Sequence, residues 1–119
     1  MSAKIAVITV SDRASRGEYE DKGGPAIEAW LRAAITSPVE ILREIVPDGR
    51  DSVARAFRHW ADMGGADLIL ATGGTGPSPR DLTPEAMEDV VERHFPGFGE
   101  VMRAVSLREV PTAILSRQG

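Results

Sequence analysis

Three features of the sequence predict an α/β domain with a doubly wound, mostly parallel sheet and helices on both faces. Short apolar, β-branched runs alternate with longer amphipathic stretches, strand then helix, three times in succession. Runs such as Ile5-Ala6-Val7-Ile8-Thr9-Val10 are almost uninterrupted rather than alternating, the pattern of strands covered on both faces. Each run ends in a loop rich in Gly, Asp or Pro, followed by signals for a helix start.

The elements follow in order. Residues 5–10 form the first strand, and a polar loop covers Ser11 to Gly24. Pro25 suits the first turn of a helix in which Ile27, Trp30, Leu31, Ala34 and Ile35 recur at spacings of three and four, one face against a core. Ser37-Pro38 ends it. Glu40 to Val46 is the second strand and Pro47-Asp48-Gly49 the turn after it. Asp51 or Ser52 can cap a helix running to about Met63, with Val53, Ala56, Phe57 and Trp60 on its apolar side. Asp67 to Thr72 is the third strand. Thr83-Pro84-Glu85 supplies a cap, an N1 proline and a first-turn acid for a helix whose buried stripe is Met87, Val90, Val91 and His94. Pro96-Gly97-Phe98-Gly99 interrupts, Glu100 to Leu107 is a further short helix, and Val110 to Ser116 is a fourth strand despite Pro111.

Composition narrows the function. With 119 residues the chain fits one domain, and 14 Lys plus Arg against 18 Asp plus Glu gives 14 − 18 = −4. That balance argues against a general nucleic-acid footprint. No apolar run approaches the ~20 residues of a membrane span, and no signal peptide precedes the first strand, so a cytoplasmic protein is expected. The absence of cysteine excludes disulfides, thiolate metal sites and cysteine nucleophiles. Lys4 and Lys22 are the only lysines, and neither follows a glycine loop, which rules out an ordinary P-loop.

Ligands of an open parallel sheet sit outside the carboxyl ends of its strands. Three loops leave those ends: Ser11 to Arg16, Pro47 to Gly49, and Gly73 to Asp81, each with at least one aspartate. Gly73, Gly74, Thr75 and Gly76 allow backbone amides to approach an anion before a helix N-terminus. This is not the dinucleotide fingerprint, because Pro79 stands at the third glycine position. Asp48 and Asp81 are the sharper signal. A carboxylate 4 Å from a phosphate charge is unfavourable by about 4 kcal/mol at an effective dielectric near 20. The pair therefore suits a polyphosphate only with a hard cation such as Mg²⁺ between them. Arg13, Arg16 and Arg80 share these loops and can pair with phosphates. His59 and His94 fall at face positions on helices, Trp30, Phe57 and Trp60 belong to the core, and Ser11 has no histidine base in its motif. Spacing by itself stops at a metal-dependent phosphate-binding domain.

Four strings go further. SDRASRGEYEDKGGP, ATGGTGPSPRDLTPEA, FPGFGEVMRAVSL and PTAILSRQ, in that order, closely resemble the molybdenum-cofactor biosynthesis family of adenylyltransferases within the molybdopterin-binding superfamily. The resemblance implies a flavodoxin-like wrap and Mg²⁺- and ATP-dependent transfer of AMP onto the terminal phosphate of molybdopterin, releasing pyrophosphate. It implies Asp48 and Asp81 as the catalytic and metal-holding pair, and Ser11, Asp12, Gly73, Gly74, Thr75 and Gly76 as substrate-binding residues. It further implies a homotrimer and hand-over of the product to a molybdate-inserting enzyme. Residues 1–119 are expected to be one such domain, lacking the family's C-terminal strand, its NLPGxP-type loop and its closing helix. A non-catalytic pterin- or partner-binding module of the same superfamily is the alternative.

Overall fold

The computed structural model describes residues 2–119. Strand β1 (Ala3–Val10) lies at the centre of a three-stranded parallel sheet, flanked by β2 (Val39–Val46) and β3 (Leu68–Thr72) in the order β2-β1-β3. Register runs from Ala3 opposite Val39 to Val10 opposite Val46 on one side, and from Ile5 opposite Leu68 to Thr9 opposite Thr72 on the other. The connections are α1 (Asp12–Ser15), α2 (Gly23–Ala34), α3 (Arg50–Arg58, continued by a π-turn over His59–Met63), α4 (Thr83–Val90) and α5 (Pro96–Leu107). This is the doubly wound arrangement expected. The chain steps from β1 to β2, then returns past β1 to β3, which places the topological switch point between β1 and β3.

The near-continuous apolar run of β1 is explained by two cores. Ile5 and Val7 face Leu31 of α2 and Ile41 of β2, whereas Ile8 and Val10 face Val53, Ala54 and Phe57 of α3 and Ala86 of α4. Because side chains alternate along a strand, burying both faces requires apolar residues at consecutive positions. The polar exception, Thr9, is buried but donates its hydroxyl hydrogen to Asp21 at 2.9 Å, as a buried hydroxyl must.

Several expectations are corrected. Residues 110–116 form no fourth strand among the described residues: Pro111–Leu115 is a 3₁₀ turn with local bonds from the Ala113 amide to the Val110 carbonyl and from the Ser116 amide to the Ala113 carbonyl. Pro111 has fixed φ and no amide hydrogen to give a ladder, and it opens that turn instead. Trp30 is not in the core; it is 68% exposed. The stripe of α2 that meets the sheet is Ile27, Leu31 and Ile35, and Trp30 lies about 100° around the helix from Leu31. Helix α4 stops at Val90, so His94 lies outside it and pairs on the surface with Glu88 at 3.2 Å. Helix α5 begins at Pro96 rather than Glu100, since proline is tolerated in a first turn. The polar loop after β1 contains α1. Neither Asp51 nor Ser52 caps α3; Gly49 precedes it, and Ser52 Oγ donates to the carbonyl oxygens of Pro47 and Gly49.

These placements separate two aliphatic and aromatic truncations that the sequence treats alike. Ile8→Ala, at a fully buried position, is expected to cost about 2–5 kcal/mol in chemical denaturation. Trp30→Ala is expected to stay within about 0.5 kcal/mol of the parent. A loss at Trp30 as large as that at Ile8 would mean that α2 packs with its other face inward.

Candidate functional site

The equal reach of the three strands brings their exit loops together, as the sequence suggested. Asp12 and Asp48 clasp each other: the Asp12 amide donates to Asp48 Oδ2 at 2.9 Å, and the Asp48 amide donates to Asp12 Oδ1 at 3.1 Å. Arg80, from the third loop, lays its guanidinium on both oxygens of Asp12 at 2.9–3.1 Å and donates to the Asp48 carbonyl oxygen at 2.9 Å. Three segments separated by 36 and 68 residues are thus tied by one carboxylate. The Arg80 side chain is 63% exposed, so the pair contributes orientation more than stability. Ser11 accepts the Ala14 amide at 3.2 Å and caps α1, while its own amide donates to the Val46 carbonyl oxygen at 2.9 Å. Ser11 and Asp12 therefore hold the site's frame together.

The glycines have steric reasons of their own. Gly73 has φ +101°, and a Cβ there would lie 2.2 Å from the Val10 carbonyl oxygen, at the switch point between β1 and β3. Gly74 has φ +69°, and its Cβ would meet Thr83 Oγ1 at 2.3 Å and Asp48 Oδ1 at 3.3 Å. Thr83 does not cap α4, whose N-cap is Leu82; its hydroxyl turns back to donate to the Gly73 carbonyl oxygen at 2.8 Å, and its amide to that of Gly74 at 3.1 Å. At Gly76 a Cβ would lie 2.8 Å from Asp81 Oδ2. Asp48 and Asp81 consequently flank the glycine segment, one against Gly74 and the other against Gly76. Each uses Oδ2 to accept a backbone amide, that of Asp12 at 2.9 Å or of Ser78 at 3.1 Å, and among the described residues no hydrogen bond reaches Oδ1 of either.

Among the described residues no three His, Cys, Asp or Glu side chains gather as a metal cage. Two carboxylates with one uncommitted oxygen each fit Mg²⁺, which takes one or two carboxylates and completes its shell with phosphate oxygens and water. They do not fit a resident zinc site, which needs three or four protein ligands.

Two residues escaped the sequence reading. Asp21 accepts the Thr9 hydroxyl and, through Oδ1, the Gly24 amide at 3.1 Å, anchoring the start of α2 beside a small pocket of about 140 Å³ lined by Ser11, Thr72 and Gly73. Its position three residues before Gly24 is the cap spacing that could have revealed it. Arg117 left no such trace, because its partners, from Thr75 to Glu85, lie 32 residues away or more. It forks onto Glu85, the first-turn acid of α4, at 2.5 and 3.1 Å. The guanidinium holds the Glu85 carboxyl below its ordinary range, and the hydrogen bond is the larger cause. The stability this adds is present above the ordinary carboxylate range and is lost as pH falls through the lowered value.

Comparison with known proteins shows the family. The profile of the family described as probable molybdopterin binding domain matches residues 6–119. The chain belongs to that family. It is 49% identical over 115 residues to the molybdopterin adenylyltransferase of Escherichia coli (strain K12), covering 97% of this chain and 59% of the relative. It is 51% identical over 114 residues to that of Helicobacter pylori (strain ATCC 700392 / 26695), covering 96% and 65%. The solved structure of the molybdopterin biosynthesis enzyme MoaB from Thermus thermophilus superposes with a TM-score of 0.84 at 44% identity, covering 97% of this chain and 71% of that one. The chain thus spans about three-fifths of the length of the curated relatives it matches.

The steric roles of the glycines yield opposite expectations for one substitution. Gly73→Ala meets a backbone oxygen at a positive φ and is expected to destabilise by at least about 2 kcal/mol. Gly97→Ala, in the first turn of α5 with nothing within 4 Å of its Cβ, is expected to be neutral or stabilising by up to about 1 kcal/mol. Thermal or chemical denaturation of the two variants checks both signs.

Proposed function

We propose that this chain adenylylates molybdopterin: an oxygen of the pterin's terminal phosphate attacks the α-phosphorus of ATP, the new oxygen–phosphorus bond makes a phosphoanhydride, and the bond from the α-phosphorus to the bridging oxygen breaks as pyrophosphate leaves. The observation that carries this reading is the placement of Asp48 and Asp81 on opposite ends of the Gly74–Gly76 segment, each with an uncommitted oxygen, in a chain of the molybdopterin-binding family. Relatives at 49% and 51% identity are adenylyltransferases, which supports carrying the reaction over.

In this reading the chain works chiefly by positioning and electrostatics. Backbone amides of residues 73–76 hold the anion near the N-terminus of α4, whose dipole favours negative charge. Asp48 and Asp81 would hold Mg²⁺, which when bound would supply positive charge beside the triphosphate. Asp12 and Arg80 keep Asp48 in place through the hydrogen bonds described above, and Ser11 caps the α1 turn that carries Asp12. Among the described residues no helix is long and apolar enough to cross a membrane, and a cytoplasmic setting follows from the use of ATP. The adenylylated pterin is an activated compound suited to a molybdate-inserting enzyme.

Calorimetric titration with ATP tests this function. Binding is expected in millimolar-scale Mg²⁺ and to weaken strongly in EDTA; equal affinity in both would remove the metal from the mechanism. Asp81→Asn should lower turnover at least about tenfold with pterin affinity retained, the mark of an interaction made in the transition state. A melting curve within about 1 kcal/mol of the parent excludes unfolding as the cause.

We also propose a homotrimer. Phe98, Val101 and Val105 of α5 are each more than half exposed, as are Ile114 and Leu115 beyond it, more apolar surface than scattered single residues require. Light scattering over a range of concentrations is expected to give three times the chain mass, and a monomer throughout would reject the assembly.

A further inference from the structure

The segment from Thr75 to Asp81 is held by side chains rather than by a ladder or a helix. Gly73 and Gly74 are fastened by Thr83, but residues 75–81 have no strand or helix of their own. Within the segment, the turn is closed by the Asp81 amide on the Ser78 carbonyl oxygen at 2.9 Å and by the Ser78 amide on Asp81 Oδ2. Two arginines tie the segment to its surroundings: Arg80, within it, reaches out to Asp12 and to the Asp48 carbonyl oxygen, and Arg117, outside it, reaches in to its carbonyl oxygens. The Arg117 amide donates to the Thr75 carbonyl oxygen at 2.8 Å, its Nε to that of Gly76 at 3.2 Å, and its Nη2 to that of Asp81. The same guanidinium is anchored by its two-pronged pairing with Glu85, itself on the rigid first turn of α4. Ser116 adds a contact to the Thr75 hydroxyl at 3.5 Å.

We propose that Arg117 is a positioning residue that presets the Thr75–Asp81 loop, and with it the Asp81 carboxylate, for the Mg²⁺-nucleotide. This rests on the adenylyl-transfer reading, and it assigns to Arg117 no contact with the reacting atoms. The chemistry explains why arginine stands here. All three carbonyl oxygens are acceptors, so the loop needs a donor-rich partner. A planar guanidinium with five donors can serve two carbonyls and a carboxylate together, whereas an ammonium is a single point of charge. Tying the loop before the ligand arrives removes an ordering cost that binding would otherwise have to meet.

The test compares Arg117→Ala, Arg117→Lys and Glu85→Gln with the parent chain by two readouts. Hydrogen exchange followed by mass spectrometry is expected to rise about tenfold or more in residues 75–81 of Arg117→Ala, with β1 and α3 unchanged. Mg²⁺-ATP affinity should fall by about tenfold in the same variant. Glu85→Gln, which keeps the shape but loosens the anchor, should move both readouts in the same direction by less. Arg117→Lys should leave the loop loose although the charge is kept. Unchanged exchange in 75–81 overturns the proposal, as does faster exchange spread equally over the sheet, which would mark a general structural role. Full restoration by lysine also overturns it, because charge alone would then suffice. If the parent chain fails to bind Mg²⁺-ATP, the adenylyl-transfer reading falls by itself, and the exchange data still decide whether Arg117 orders the loop.

Discussion

Everything at the site depends on β1 pairing on both sides in parallel. An interior strand with parallel neighbours on both edges leaves its carbonyls and amides fully used, so the sheet can be buried on both faces without unmet polar groups. The register ends Val10 beside Val46 and Thr9 beside Thr72, which starts three exit loops from nearly one line. Close packing at that line has a cost in residue choice. Gly73 passes so near the Val10 carbonyl oxygen that only a residue without Cβ fits. Gly73 is therefore a glycine because the sheet demands it, and the openness of its loop to a phosphate, in the function proposed above, follows.

Charge then does what the sheet cannot. Loops carry few ladder bonds, and these three are joined by side chains reaching across the site: Asp12 with Asp48, Arg80 over Asp12, and Arg117 between the glycine loop and Glu85. The two ion pairs, Arg80 with Asp12 and Arg117 with Glu85, are exposed enough that solvent screens most of their energy. What survives screening is direction, because a guanidinium bonded to both oxygens of a carboxylate has few orientations left. The result is a frame in which Asp48 and Asp81 keep one oxygen each turned to a backbone amide and one left over.

That frame suits a reaction that asks little covalent chemistry of the protein. Transfer of an adenylyl group between phosphates needs alignment and cover for negative charge, and neither requires a nucleophilic side chain. The capping role of Ser11 and the surface place of His94 fit this economy, since neither stands ready as nucleophile or base.

Much of this was legible in the sequence because it is encoded locally. The apolar run of β1, the turn at Pro47-Asp48-Gly49 and the Thr-Pro-Glu start of α4 are set by neighbours within a few residues, and their strands and helix appear where expected. The convergence of Asp48, Asp81 and the glycine loop also followed, since parallel topology alone puts strand ends on one edge. Tertiary structure decided what depends on distant partners. It turned Trp30 outward, because which part of a broad apolar stripe meets the sheet is fixed by the sheet's position. It made residues 111–115 a 3₁₀ turn in place of a strand, and it gave Thr83 to the Gly73 carbonyl instead of the helix cap. It also recruited Arg117 to a loop 41 residues away. A side chain's own type limits the bonds it can make, but only the folded chain selects the partner, because that choice rests on distances that sequence separation does not contain.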